Sequence, residues 1–321
     1  HTAITFFHSM LSRRHLRIRV MQALYAYYQS DPKDIRRTEQ ELLNGTEKIF
    51  ELYLTVLRFY QELAHQEHLY YEDTPASLVT GKKKTSLSAM EAMKFLEWLN
   101  SDKAFSDAIK KKKISWQAES DTIKKAFSHL RQQEEYTNFA AKADHTTEEE
   151  HAMLKWMTRE LFSKTEFIPH LLEEKNIYWA ESLDMIEAMV NRTLDTLKSD
   201  GQYGLLPLFK DEEDDVRFMQ ELVQKTIRDD SYFHQLISEK TKNWDAERIA
   251  IVDIILMKMA LCEIINISTI PVKVSINEYI DISKDYSTPN SKAFINGVID
   301  KLVIELKEQG KIHKSGRGLV E

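Results

Sequence analysis

Residues that break regular structure are scarce in this chain. Glycine (8) and proline (6) together supply 14 of 321 residues, where an average protein carries about 12% of the two. A many-turned β-sandwich and a glycine-rich phosphate-cradling fold both need more. Cysteine is scarcer still. Cys262 alone excludes an internal disulfide framework and a multi-cysteine zinc site, and it suits a reducing compartment. No apolar run reaches the ~18 residues of a membrane-spanning helix. The longest, residues 249–262, is interrupted by Asp253 and Lys258. No uninterrupted apolar stretch with a small-residue cleavage site follows the early arginines, so a secretory signal is not expected. Residues 1–9, ahead of Met10, read as an upstream addition outside the fold.

Chemistry-bearing motifs are missing too. There is no Walker loop, no G-x-G-x-x-G and no G-x-S-x-G. The histidines from His15 to His313 are scattered. His65 and His68, with Glu62 nearby, lack a third ligand and read as a surface helix. No catalytic set, cofactor site or metal site emerges, so the chain is not expected to be an enzyme. The net charge of −7 argues against a non-specific nucleic-acid coat, while leaving room for a local basic patch.

What is present is helical periodicity. Residues 10–30 place Leu16, Val20, Ala23, Leu24 and Tyr27 at helical spacing. The other face carries Arg13, Arg14, Arg17 and Arg19. Arginines near a helix N-terminus oppose the dipole, so something else must favour them. Asp31-Pro32 should end this helix. Further helices are expected over residues 38–72, 89–99, from 146, 180–198, from 211, 249–265, 274–286 and 293–307, the last stopped by Gly310. Residues 74–88 read as a loop or linker. The run Lys110 to Lys113 reads as a solvated helix face. Residues 249–265 are apolar almost all round and predict a buried central helix. Residues 311–321 read as a frayed tail. No period-2 strand is convincing, and the expected class is all-α. Phe167, Leu171 and Trp179 echo Phe233, Leu236 and Trp244 in spacing, which raises an internal duplication as a hypothesis.

Three segments together resemble the NusB transcription-antitermination family. They are RRHLRIRVMQALYAYYQS (Arg13 to Ser30), MKMALCEI (Met257 to Ile264) and IPVKVSINEYIDISKDYSTPNSKAFINGVIDKL (Ile270 to Leu302). In the third, Pro, Asn-Glu, Ser, Phe and Asn-Gly follow in the family's order. The resemblance implies a NusB-like helical bundle built from residues 10–32 and 211–310. Residues 33–210 would then be a helical insertion of unassigned role.

It also implies a function. Family members bind boxA-type RNA of ribosomal RNA leaders, pair with the ribosomal protein NusE and act on RNA polymerase indirectly through that assembly. On this sequence the implied RNA-binding residues are Arg13, Arg14, Arg17, Arg19, Tyr25, Lys273, Lys284, Ser291, Lys292, Phe294 and Asn296. Guanidinium forks suit phosphate oxygens, and exposed aromatics can stack bases. Tyr25 and Phe294 could equally be core. The last helix's first turn is expected beside the arginine helix. Asp253 and Glu263 are carried over as NusE-facing residues, Asn277 as a backbone-bonding residue and Gly297 as a site of close helix approach. A cytoplasmic protein is expected, and the resemblance allows a homodimer. Three positions depart from the family pattern: Ala293 for its lysine, Asn290 for its acid and Cys262 for its aromatic. They motivate an alternative, a helical protein–protein scaffold that keeps the fold without RNA binding.

Overall fold

The computed structural model describes residues 9–73, 88–198, 201–241 and 249–315. Every regular element among them is helical. In chain order these are α1 (Arg13–Gln29), α2 (Ile35–Asp73), α3 (Lys94–Ser101), α4 (Lys103–Lys112) and α5 (Ser120–Arg131). They continue with α6 (Glu134–Ala141), α7 (Thr147–Phe162), α8 (Phe167–Lys175), α9 (Ile177–Ala180) and α10 (Ile186–Leu194). The last five are α11 (Glu212–Arg228), α12 (Asp230–Lys240), α13 (Ile251–Asn266), α14 (Val272–Tyr286) and α15 (Ser291–Glu308). No helix among the described residues is long and apolar enough to cross a membrane. Two compact units divide the chain: His1–Met10 with Glu47–Leu208, and Leu11–Thr46 with Phe209–Glu321.

The first unit has its own core. Leu52, Leu57, Phe59 and Leu63 of α2 are fully buried. Phe59 meets Trp116 and Phe162 at ring-centroid distances of 5.0 and 5.4 Å. Several buried polar tips find partners there, as burial favours. The Tyr60 hydroxyl lies 2.5 Å from that of Thr158, Trp116 Nε1 donates to the Thr55 carbonyl (3.0 Å), and Glu67 accepts from Tyr136 and from Met90 N. Thr146 and Glu149 form a reciprocal capping box that starts α7. The single helix expected over residues 180–198 is instead broken. Leu183–Met185 form a 3-10 turn, and α10 stops at Leu194 because the Thr196 hydroxyl bonds the Thr193 carbonyl and takes Gly204 N. The matching second segment is a continuous 16-residue α13, and Trp244 lies outside the described residues, as do residues 74–87 of the loop assigned to 74–88. His68 bridges Glu72 and Glu91, whereas Glu62 pairs with Arg58. Lys110 to Lys112 occupy the last turn of α4, where the dipole favours cations.

In the second unit α13 is the central helix, packed against α1, α11, α12, α14 and α15. Three charged residues sit at five-residue intervals along it, and each is buried and paired. Asp253 accepts from Ser287 and Ser291, Lys258 donates to Asp230 (2.5 Å), and Glu263 receives Arg17. They therefore tie α15, α12 and α1 to fixed heights on α13. Gly310, at φ +64°, closes α15 as expected. Gly297 does not serve a close approach: it is exposed, and an added Cβ would meet open space. Asn277 is exposed rather than bonded inside the bundle.

Both ends of the described chain are more structured than expected. Ser9 and Met10 carbonyls accept from Arg192. Lys314 Nζ donates to the Glu263 and Ile267 carbonyls (3.0 and 2.8 Å) at the C-terminal end of α13, and Ser315 N donates to Ser268 O. A cation suits that end of a helix.

Two expectations follow. Thr146→Ala should cost about 1 kcal/mol, the usual value of an N-cap, read by urea unfolding. Burial brings Lys314 down from 10.5 to about 8, against the pull of Glu263. Between those values the unfolded chain holds more protons, so stability should rise with pH. The unfolding free energy of wild type minus Lys314→Met should therefore grow from pH 8 towards 10.5. A flat or falling difference would contradict this.

Candidate nucleic-acid interface

The N-terminal turn of α1 is capped by Ser12, whose hydroxyl accepts from His15 N while the His15 ring accepts from Ser12 N. This turn carries Arg13 and Arg14, and Arg17 follows one turn later. Carboxylates from two neighbouring helices offset their clash with the dipole. Asp211 to Asp215, in the first turn of α11, suit that helix's own positive end. The same turn grips Arg13 through Asp214 and Asp215. Arg13 also lies over the Phe218 ring, 4.5 Å from its centroid. From α14, Glu278 takes Arg14 bidentately (3.0 and 2.9 Å) and Asp281 takes it a third time (2.9 Å). Hydrogen bonding to Glu278 holds the Arg14 guanidinium above its ordinary range.

Arg17 differs in kind. Its side chain is 2% exposed and that of Glu263 is fully buried. Nε and one terminal nitrogen each reach a Glu263 oxygen at 2.8 Å. Ser275 and Tyr279 donate to the same carboxylate at 2.6 and 3.0 Å. Burial disfavours the guanidinium charge, but the Glu263 bonds together with the charges of Tyr279, Glu263 and Glu278 outweigh it and raise Arg17. Burial, then the Glu263 charge, pushes the Tyr279 phenol well up.

A cavity of about 920 Å³ opens beside these groups. Its lining brings Arg13, Arg14 and Arg17 together with Arg217 of α11, the 266–271 connection and Val274 and Glu278 of α14. Arg217, half-exposed and paired only in the i,i+4 sense with Glu213, is the residue that sequence reasoning missed. It lies in the acidic opening of α11, where no basic pattern marks it. Four arginines face Asp214, Glu221 and Glu278 around this space. The arrangement can hold phosphate oxygens through guanidinium forks, provided carboxylates give way.

The other expected site residues fall elsewhere. Arg17 and Arg19 are buried, Arg19 bonding Gln22, so neither offers a free guanidinium to solvent. Ser291 is 1% exposed and serves Asp253; Phe294 is core. Asp253 and Glu263, expected to face a partner, are interior acceptors, because an apolar helix can bury a carboxylate only when donors surround it. Lys273, Lys284 and Lys292 are exposed, Tyr25 is 43% exposed, and Asn296 bonds Asp300. Lys284 reaches Asp281, the second carboxylate on Arg14. The first turn of α15 is not beside the arginine turn. Ser291 anchors it at Asp253, ten residues or about 15 Å along α13 from Glu263. Tyr25 lies eleven residues, about 16 Å, along α1 from Arg14.

Removing one half of the buried pair should be costly. Arg17→Met should destabilise the chain by about 3–5 kcal/mol by stranding Glu263, measured by denaturant unfolding. Arg17→Met with Glu263→Gln should recover a large part of the loss, and a cost below about 1 kcal/mol for the single variant would contradict the assignment.

The sequence is similar to that of known proteins. The NusB family model matches residues 182–303. A transcription antitermination protein NusB of Salinibacter ruber is 38% identical over 119 residues, which cover 37% of this chain and 74% of that protein. Its counterpart in Chloroherpeton thalassium is 40% identical over 104 residues, covering 32% and 49%. That of Desulfatibacillum aliphaticivorans is 36% identical over 106 residues, covering 33% and 74%. Among solved structures, T. maritima NusB is similar at 22% identity and a TM-score of 0.29, covering 49% of this chain and 97% of that one. With more than a third of residues shared over three quarters of a relative's length, the chain belongs to the NusB family of transcription antitermination proteins.

Proposed function

We propose that the arginine cavity of the second unit binds single-stranded, boxA-like RNA of ribosomal RNA leaders. The observation that carries this reading is the convergence of Arg13, Arg14 and Arg217, from two helices, on one open cavity next to buried Arg17. The protein then acts by assembly rather than catalysis. Bound beside NusE, it tethers RNA to the elongating RNA polymerase and assists passage through terminators, as a cytoplasmic protein. The acidic bulk of the chain, at −7, keeps non-specific RNA binding low and leaves recognition to this one face. Exposed Lys284 and Lys273 on α14 extend the basic edge, and Tyr25 offers an open ring for a base. Lys292 and Asn296 supply a second contact at the other end of α13.

One observation favours the scaffold alternative: every arginine of the first turn already holds a carboxylate. Fluorescence anisotropy of a labelled boxA-like RNA, at several salt concentrations and with or without NusE, separates the two. Binding that tightens with NusE supports the RNA reading. Arg13→Ala with Arg14→Ala should weaken it roughly tenfold or more and flatten the salt slope by about 0.7 per lost phosphate contact. Retained NusE pairing without RNA binding at any salt concentration would favour the scaffold.

A further inference from the structure

We propose that Glu278 and Asp281 set the affinity of the cavity by occupying Arg14 in the free protein, so that an RNA phosphate binds only by displacing them. The inference rests on the reading that the cavity takes RNA, and it concerns which residues tune that binding.

The contrast between Arg14 and Arg17, one turn apart on α1, carries it. The Arg17 pair is closed, with every Glu263 oxygen taken by buried donors. The Arg14 pair is open: the side chains of Arg14, Glu278 and Asp281 are 42%, 22% and 35% exposed. Water and salt compete for such pairs, so they hold weakly. The bidentate fork that Arg14 presents to Glu278 is the geometry a phosphate would use. The two carboxylates stand in for the ligand.

Displacement leaves neither carboxylate stranded. Glu278 keeps Arg17, whose second terminal nitrogen lies 3.6 Å from it. Asp281 keeps Lys284 at 2.5 Å. That lysine and Arg14 together hold the Asp281 carboxyl below its usual range. Each acid therefore has a reserve cation on a neighbouring position, which makes the exchange feasible. Arg13 has no such freedom: Asp215 is buried, accepts Lys210 N and Asp211 N, and Arg13 is stacked on Phe218. Arg14 is thus the exchangeable cation. Once displaced, the acids still lie near the bound phosphate, well inside a Debye length, and oppose it. The free site is consequently close to neutral and weak for RNA.

The sign of the test is unusual, because removing a partner of an arginine should improve binding. Anisotropy of the labelled boxA-like RNA is measured for wild type, Glu278→Gln, Asp281→Asn, Arg14→Ala and Glu278→Gln with Arg14→Ala. Thermal unfolding of each variant is monitored in parallel. Glu278→Gln should bind about fivefold more tightly, the equivalent of one unit-charge interaction near 4 Å in water, with a salt slope steeper by about 0.7. Arg14→Ala should abolish that gain. Asp281→Asn, at a more exposed position, should show a smaller gain in the same direction, and it decides the matter if Glu278→Gln folds poorly. If neither acid variant binds more tightly while Arg14→Ala weakens binding, the displacement idea fails and the RNA reading stands. If Arg14→Ala changes nothing and no variant binds RNA, the RNA reading itself is overturned.

Discussion

The pairing of Arg17 with Glu263 organises the second unit. Two opposite charges taken out of water cost more than their attraction returns unless further donors complete the shell. Here Ser275 and Tyr279 complete it, both on α14. A requirement met only when α1, α13 and α14 are all in place makes these three helices interdependent. Asp253 and Lys258 repeat the device at other heights on α13, drawing in α15 and α12. A helix as apolar as α13 could slide or rotate among apolar neighbours at little cost. Three buried charges with unique partners remove that freedom.

The same constraint shapes the surface next to it. Arg17 is consumed inside, and what the cavity presents is the turn before it. Arg13 and Arg14 lie on a positive helix end and are tolerated there because α11 and α14 supply carboxylates. The cavity is therefore rich in arginine yet nearly balanced in charge. Such a site is selective through its geometry and sparing in its long-range field. The residues expected as contacts divide into two groups about 15 Å apart along α13.

The first unit depends on none of these charges. Its interior is aromatic, with Phe59, Trp116, Phe162, Phe95 and Trp98 buried, and Tyr53, Tyr60, Trp116 and Glu67 find their hydrogen-bond partners within it.

Much of this architecture was legible in the order of residues. The all-α class, the buried central helix, the acidic starts of α7 and α11 and the glycine stop after α15 follow from periodicity and capping chemistry, which act within a few residues, and the family was legible as a resemblance of three segments. The fate of the charges was not legible. Arg17 meets its partner 246 positions away and Arg14 meets Glu278 at a separation of 264. Spacing along one helix says which residues share a face, but not what that face meets. Thus an arginine stripe read as open divided into one buried strut, Arg17, a second buried arginine, Arg19, bonded to Gln22, and two paired surface cations. Two acids expected to face a partner became interior acceptors, and a tail expected to fray reached back through Lys314 to the end of α13. Local sequence determined the helices, because helix formation is a short-range balance. Tertiary structure alone decided which charges reach solvent, because burying a charge is favourable only where distant segments bring it a partner.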